Sequence, residues 1–74
     1  MRYELIREIF NKCSGNQMRD VFVSEVETDD PEGYVRNLVV GTSVTVDGHR
    51  TDNGALIYEV MSDGLHQRFS FTED

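Results

Sequence analysis

The sequence predicts an α+β fold in which two short helices pack on one face of an antiparallel sheet, in the order α-β-α-β-β-β. Three observations predict it: an apolar stripe of helical period near the N-terminus, a capped helix start near residue 30, and turn residues that divide the C-terminal third into a three-stranded meander. The chain has 74 residues, so we expect residues 1–74 to form a single domain.

The first helix is expected over residues 2–13, where apolar residues recur with the spacing of one helix face. Charged and polar residues fill the opposite face, and Gly15 is suited to end the helix. The residues of the apolar stripe are Leu5, Ile6, Ile9, Phe10 and Cys13.

Residues 18–27 are ambiguous between strand and helix. Val21, Phe22 and Val23 are consecutive β-formers, which favours a strand over residues 20–27. Met18 and Val26 would join Val21 and Phe22 on one face if the segment were helical.

The second helix is expected over residues 31–40. Asp30 can cap it, Pro31 suits its first position, and Gly41 stops it.

The C-terminal third is typical of three strands joined by two hairpins. Asp63-Gly64 is a two-residue turn, and residues 52–54 form a three-residue loop with Gly54 in the left-handed conformation. Asp47-Gly48 is an alternative turn or a bulge. Together the two hairpins predict that Glu59 faces Arg68, Tyr58 faces Phe69, Leu56 faces Phe71, Val46 faces Val60 and Gly48 faces Tyr58. The last strand, residues 65–72, is interpreted as a sheet edge.

Charge indicates the kind of partner. The chain carries 14 acidic and 7 basic residues, for a net charge of −7, which disfavours direct binding to nucleic acid or to anionic membranes and favours a protein with a basic surface. Residues 20–32 include six acidic residues and no basic one. These six are the predicted partner-binding residues: Asp20, Glu25, Glu27, Asp29, Asp30 and Glu32. The alternative is a solvated strand followed by a helix cap.

No motif predicts catalysis, a cofactor or a metal site, and we expect the protein not to be an enzyme. Cys13, His49 and His66 are the only candidates for a nucleophile and its base, and their spacing does not support that role. Asp47, His49 and Asp52 are better explained as turn residues than as metal ligands. A single cysteine favours a reducing cytoplasm, and the N-terminus does not have the pattern of a signal peptide.

Two stretches, residues 20–36 and residues 63–71, resemble small uncharacterised proteins carried by bacterial mobile elements. That resemblance implies no activity. In size and charge the chain also resembles small acidic inhibitors from phages and mobile elements, among them anti-CRISPR proteins, several of which imitate nucleic acid.

The sequence therefore predicts an acidic protein-interaction module, an accessory or inhibitor protein of a mobile element or phage that binds a basic partner surface. One alternative is a structural homodimer that associates through a sheet edge. Another is a minor enzyme or ligand binder that uses Cys13 and His49.

Overall fold

The computed structural model describes residues 1–10, 19–39, 41 and 43–73. Within these ranges, the elements follow the order β-β-α-β-β-β. Their bounds are β1 Arg2–Phe10, β2 Arg19–Glu27, α1 Pro31–Leu38, β3 Val44–Arg50, β4 Leu56–Ser62 and β5 Leu65–Glu73.

The predicted fold class, two helices on a sheet in the order α-β-α-β-β-β, is wrong. The described residues form five antiparallel strands and one short helix, and the segment predicted as the first helix is the strand β1. Leu5 lies on one face of this strand and is buried, whereas Ile6 and Phe10 point to the other face. β1 carries apolar residues on both faces, and neighbouring doublets of such residues mimic a helical stripe. Cys13 lies outside the described residues.

The strands lie in the order β2-β1-β5-β4-β3. Each neighbouring pair is antiparallel. The interpretation of the last strand as an edge is wrong, because β5 lies in the middle of the sheet between β1 and β4. The two edges are β2 and β3.

β2 confirms the strand interpretation of residues 20–27. Its β-formers pair with β1, with Val23 opposite Ile6 and Phe22 opposite Arg7. Met18, which supported the helical alternative, lies outside the described residues.

α1 begins as predicted and ends two residues early. The Asp30 carboxylate accepts a hydrogen bond from the Gly33 amide at 3.2 Å, and Pro31 occupies the first turn. The helix ends at Leu38 rather than residue 40, because Val39 is in an extended conformation. Since β2 and β3 lie at opposite edges, the segment that contains α1 crosses one face of the sheet.

The C-terminal meander is confirmed, including its register. All five predicted cross-strand pairs are present. Asp63 and Gly64 both have positive φ, at 49° and 85°, as a two-residue hairpin turn of this type requires. Gly54 is left-handed as expected, with φ of 88°, and the Thr51 amide donates to the Ala55 carbonyl at 2.8 Å. The alternative turn at Asp47-Gly48 is not formed, since both residues lie within β3.

The core lies between α1 and the sheet. Its buried apolar residues are Leu5, Val26, Val35, Val39, Val60, Phe69 and Phe71. The Phe71 ring is met edge-on by Tyr3, Tyr34 and Tyr58, at centroid distances of 5.7, 6.2 and 5.8 Å. The Tyr34 contact helps to hold α1 against the middle of the sheet, since edge-to-face packing is a favoured aromatic geometry.

Tyr58 lies across the edge strand β3 because its neighbour there is a glycine. A Cβ built on Gly48 would lie 2.6 Å from Tyr58 Cε1. Burial raises the pKa of Tyr58, the carboxylates of Glu32 and Asp30 raise it further, and Arg50 opposes them. The phenol is therefore neutral at physiological pH. No helix of the described residues is long and apolar enough to span a bilayer.

Candidate functional site

The two faces of the sheet differ in what covers them. The face against α1, which we call the helix face, carries Leu5, Val26, Phe69, Val60 and Val46. The opposite side, which we call the open face, carries Ile6, Val23, Arg68, Glu59 and His49. Every buried strand residue in the described part of the chain lies on the helix face, and none lies on the open face. The open face is therefore more accessible to a partner than the helix face, part of which α1 covers.

A ladder of ion pairs crosses the open face from β2 to β4. Arg19 Nη1 lies 3.0 Å from Glu8 Oε2, and Arg68 Nη1 lies 3.9 Å from Glu8 Oε1. Arg68 Nε also donates to Glu59 Oε1 at 2.6 Å, and His66 contacts the other Glu59 oxygen. Each carboxylate in the ladder thus lies between two basic side chains.

The pKa of Glu59 shows the balance of forces in this ladder. Burial raises it, but the hydrogen bonds from His66 and Arg68, together with the positive charge of Arg68, outweigh burial and leave the pKa below its ordinary value. Glu59 is therefore ionised at neutral pH, and its partners hold it in the charged form.

Phe10 completes this polar cluster with an aromatic surface. Its ring stacks on His66 with a centroid distance of 4.6 Å, and the Arg68 guanidinium carbon lies 5.3 Å from the Phe10 centroid. These contacts satisfy Arg68 and His66 from inside the chain, so we interpret the ladder as structural.

A second group of carboxylates on the open face lacks such partners. Glu4 lies directly opposite Glu25, and Glu27 lies opposite Arg2. All four side chains are exposed. We call Glu4, Glu25 and Glu27 the carboxylate strip. Among the described residues, no basic group lies within ion-pair distance of any member of the strip.

The backbone places Glu4 and Glu25 in the closer of the two types of cross-strand pair. The Thr28 amide donates to the Met1 carbonyl at 2.9 Å, so Thr28 and Met1 are a hydrogen-bonded pair of the β1–β2 ladder. Because hydrogen-bonded and non-hydrogen-bonded pairs alternate, Glu4 and Glu25 form a non-hydrogen-bonded pair, the type whose side chains lie closest. Like charges in this position repel each other.

The structure separates the six predicted acidic residues into three groups. Glu25 and Glu27 lie together on the open face, whereas Asp20 lies on the helix face at the other end of β2, opposite Ile9. Asp29 contacts the N-terminal amine at 3.1 Å, and Glu32 lies 3.6 Å from Arg36. Asp30 caps α1. The positions of Asp30 and Glu32 agree with the helix-cap alternative, and the role of the six residues in partner binding stays a prediction.

Glu4 was missed by sequence reasoning, because a helix over residues 2–13 places it on a solvent face far from Glu25. The alternation of Tyr3, Glu4 and Leu5 is the signal that could have indicated a strand. Only the pairing of β1 with β2 brings Glu4 beside the acidic segment.

The outer edge of β2 is apolar as well as unpaired in the described sheet. Val21, Phe22 and Val23 are 49%, 55% and 65% exposed. Val21 and Val23 lie on the open face, and Phe22 lies on the helix face. Consecutive exposed apolar residues on an edge strand are a pairing site for another strand.

The residues considered for catalysis or metal binding do not form a site in the described ranges. His49 is exposed on the edge strand β3, opposite Ile57, and His66 belongs to the ladder. Asp47 lies within β3, and Asp52 lies in the β3–β4 loop. No group of three His, Cys, Asp or Glu side chains suited to a metal ion occurs among the described residues. The alternative that pairs Cys13 with His49 stays a prediction, since Cys13 lies outside those ranges.

Comparison with known proteins adds no family to this picture: no family model, no curated protein and no solved structure matches the chain.

Proposed function

We propose that the protein is an acidic protein-interaction module that binds a basic partner surface through the carboxylate strip. The observation that carries this proposal is the direct opposition of Glu4 and Glu25, neither of which has a basic group of the described residues within ion-pair distance; Arg2 lies on the same face, opposite Glu27. The pair contrasts with Glu8 and Glu59 on the same face, which the fold supplies with basic partners.

The physical argument is that the strip lowers stability in the free protein. Two carboxylates at a close cross-strand position repel each other, and this costs a few tenths of a kcal/mol to about 1 kcal/mol. A lysine or arginine of a partner that lies between Glu4 and Glu25 would remove the repulsion and replace it with attraction. Departures from a favourable local arrangement are expected where a surface serves binding.

The charge of the whole chain supports a protein partner rather than a nucleic acid. A net charge of −7 repels phosphate backbones and attracts basic surfaces at long range. This agrees with the proposed role as an accessory or inhibitor protein of a mobile element or phage, which would act in the cytoplasm by covering a basic surface of its target.

Charge reversal with a matched control tests the proposal. The double variant Glu4→Lys/Glu27→Lys removes two members of the strip. The control Asp52→Lys/Glu73→Lys makes the same change in net charge at two exposed positions away from the open face. Affinity capture from the cells that produce the protein should recover a partner with the wild type and the control but not with the strip variant. Equal recovery by both variants would remove the strip from the binding surface.

A direct probe locates the surface without knowledge of the partner. A Lys/Arg-rich peptide titrated into isotopically labelled protein should shift the amide signals of Glu4, Glu25 and Glu27 first. Shifts centred on Asp47 and Asp52 instead would contradict the proposal.

A further inference from the structure

We propose that the chain forms a symmetric dimer in which β2 pairs, antiparallel, with β2 of a second copy and joins the two sheets into one. This inference goes beyond the proposed function and does not rest on it. It starts from the apolar outer edge of β2, where Val21, Phe22 and Val23 are exposed in succession.

The hydrogen-bonding groups of that edge can be assigned from the β1–β2 ladder. Thr28 and Met1 form a hydrogen-bonded pair. By alternation along the register, the even-numbered residues of β2 direct their N–H and C=O groups towards β1, and the odd-numbered residues direct theirs outward. Val21, Val23 and Glu25 therefore direct backbone groups along the outer edge, where no described strand pairs with them, as Arg19 does.

One symmetric register makes the edge complementary to itself. With the two-fold axis at Phe22, Val21 lies opposite Val23 of the second copy, and Arg19 lies opposite Glu25 of the second copy. Each of these pairs joins outward-facing residues, so each would exchange both of its backbone hydrogen bonds. Apolar residues then meet apolar residues in the centre, and opposite charges meet at both ends.

The same register places the two Phe22 rings opposite each other. Phe22 directs its backbone towards β1, so the Phe22 pair is of the non-hydrogen-bonded type, in which side chains approach most closely. Aromatic pairs at this position stabilise a sheet. The rings would cover each other on the helix face, where Phe22 is 55% exposed in the single chain.

The next symmetric register towards the C-terminal end of β2 fits less well. A two-fold axis at Val23 places Val21 opposite Glu25 of the second copy, which sets an apolar side chain against a carboxylate, and it separates the two Phe22 residues. An axis at Val23 would set Arg19 opposite Glu27 of the second copy. In the register centred on Phe22, the Arg19 that already contacts Glu8 would instead reach Glu25 across the interface. Glu25 would then lie between Glu4 of its own chain and a basic side chain of the other, so in the dimer Glu4 and Glu27 would be the members of the carboxylate strip that stay available to a basic partner.

A proline variant tests the use of this edge. Val23→Pro removes an amide that faces outward, so it leaves the pairing with β1 in place and removes interface hydrogen bonds. The matched control Ser24→Pro removes an amide that faces β1 and should disrupt the fold. In sedimentation over a dilution series, the wild type should be a dimer that dissociates on dilution. Val23→Pro should keep the wild-type circular dichroism spectrum and raise the dimer dissociation constant about tenfold or more.

A charge swap tests the register. Arg19→Glu and Glu25→Arg should each raise the dissociation constant about tenfold, since each places like charges at both ends of the interface. The double variant Arg19→Glu/Glu25→Arg should restore the dimer, and Glu27→Arg should leave it unchanged. A wild type that stays monomeric at every concentration overturns the proposal, as does a dimer that Val23→Pro and the single charge variants leave intact. The strip variant Glu4→Lys/Glu27→Lys keeps all of the interface residues, so loss of partner capture and loss of the dimer are separately observable.

Discussion

Glu4 on β1 and Glu25 on β2 are direct cross-strand partners, with both carboxylates exposed on the open face. Glu8 lies further along the same strand and on the same face, between Arg19 and Arg68. Two glutamates of one strand thus occupy opposite electrostatic environments.

This contrast gives the first prediction. Glu4→Gln should stabilise the fold by a few tenths of a kcal/mol to about 1 kcal/mol, because it removes the repulsion with Glu25. Glu8→Gln should destabilise it by a similar amount, because it removes two ion pairs. Urea unfolding measures both, and the gain from Glu4→Gln should shrink as salt is added. A loss of stability in Glu4→Gln would show that the pair is not repulsive.

The second prediction concerns pH and Glu59. Its pKa is lower in the folded chain than its ordinary value of 4.5, so its ion pairs contribute stability above pH 4.5 and this contribution is lost as the pH falls through the folded pKa. At neutral pH, Glu59→Gln should cost about 0.5–1 kcal/mol, as expected for partly exposed pairs. The difference from the wild type should narrow below pH 4.5. Thermal unfolding of both proteins across this range provides the measurement, and a constant difference would contradict the assignment.

The third prediction concerns the space beside Tyr58. Gly48→Ala should cost about 1–3 kcal/mol, because the added methyl group would lie 2.6 Å from the Tyr58 ring and force it to move. The same substitution in a Tyr58→Leu background should cost less, since a smaller side chain can yield. Equal costs in the two backgrounds would mean that the ring is not the obstacle.

The fourth prediction concerns Gly64, where the constraint is the backbone rather than packing. Its φ is 85°, and nothing lies within 4 Å of a Cβ built there. Gly64→Ala should therefore cost about 1–2 kcal/mol through the left-handed conformation alone. Gly64→Asn should cost less, because asparagine tolerates that conformation. The midpoints of urea unfolding of the two variants measure these costs. A Gly64→Ala variant as stable as the wild type would exclude the assigned turn.

Local chemistry made the C-terminal half predictable. Asp63-Gly64 and Gly54 specify turns whose geometry fixes the register of the strands around them, so pairs such as Glu59–Arg68 follow from the sequence alone. Asp30 and Pro31 likewise specify where α1 begins. These signals depend on a few neighbouring residues and not on the rest of the fold.

The N-terminal segment could not be predicted in the same way. Leu5 and Ile9 lie on the helix face while Ile6 and Phe10 lie on the open face, and this pattern of doublets has the spacing of a helical stripe. The error carried over to the candidate site. The acidic residues between 20 and 32 are neighbours in sequence, but a strand, a loop and a helix cap separate them, and Glu4 joins them only through strand pairing.

The position of β1 between β2 and β5 has a consequence for how the protein forms. Tyr3 pairs with Glu73, so one side of β1 stays without its neighbour until β5, Leu65–Glu73, has left the ribosome. Until then the nascent chain can form only two separate hairpins, β1–β2 and β3–β4. Completion of the sheet depends on contacts between distant parts of the chain, which makes folding slow relative to a helical protein of this length. The β1–β2 hairpin is meanwhile exposed to misassembly during synthesis.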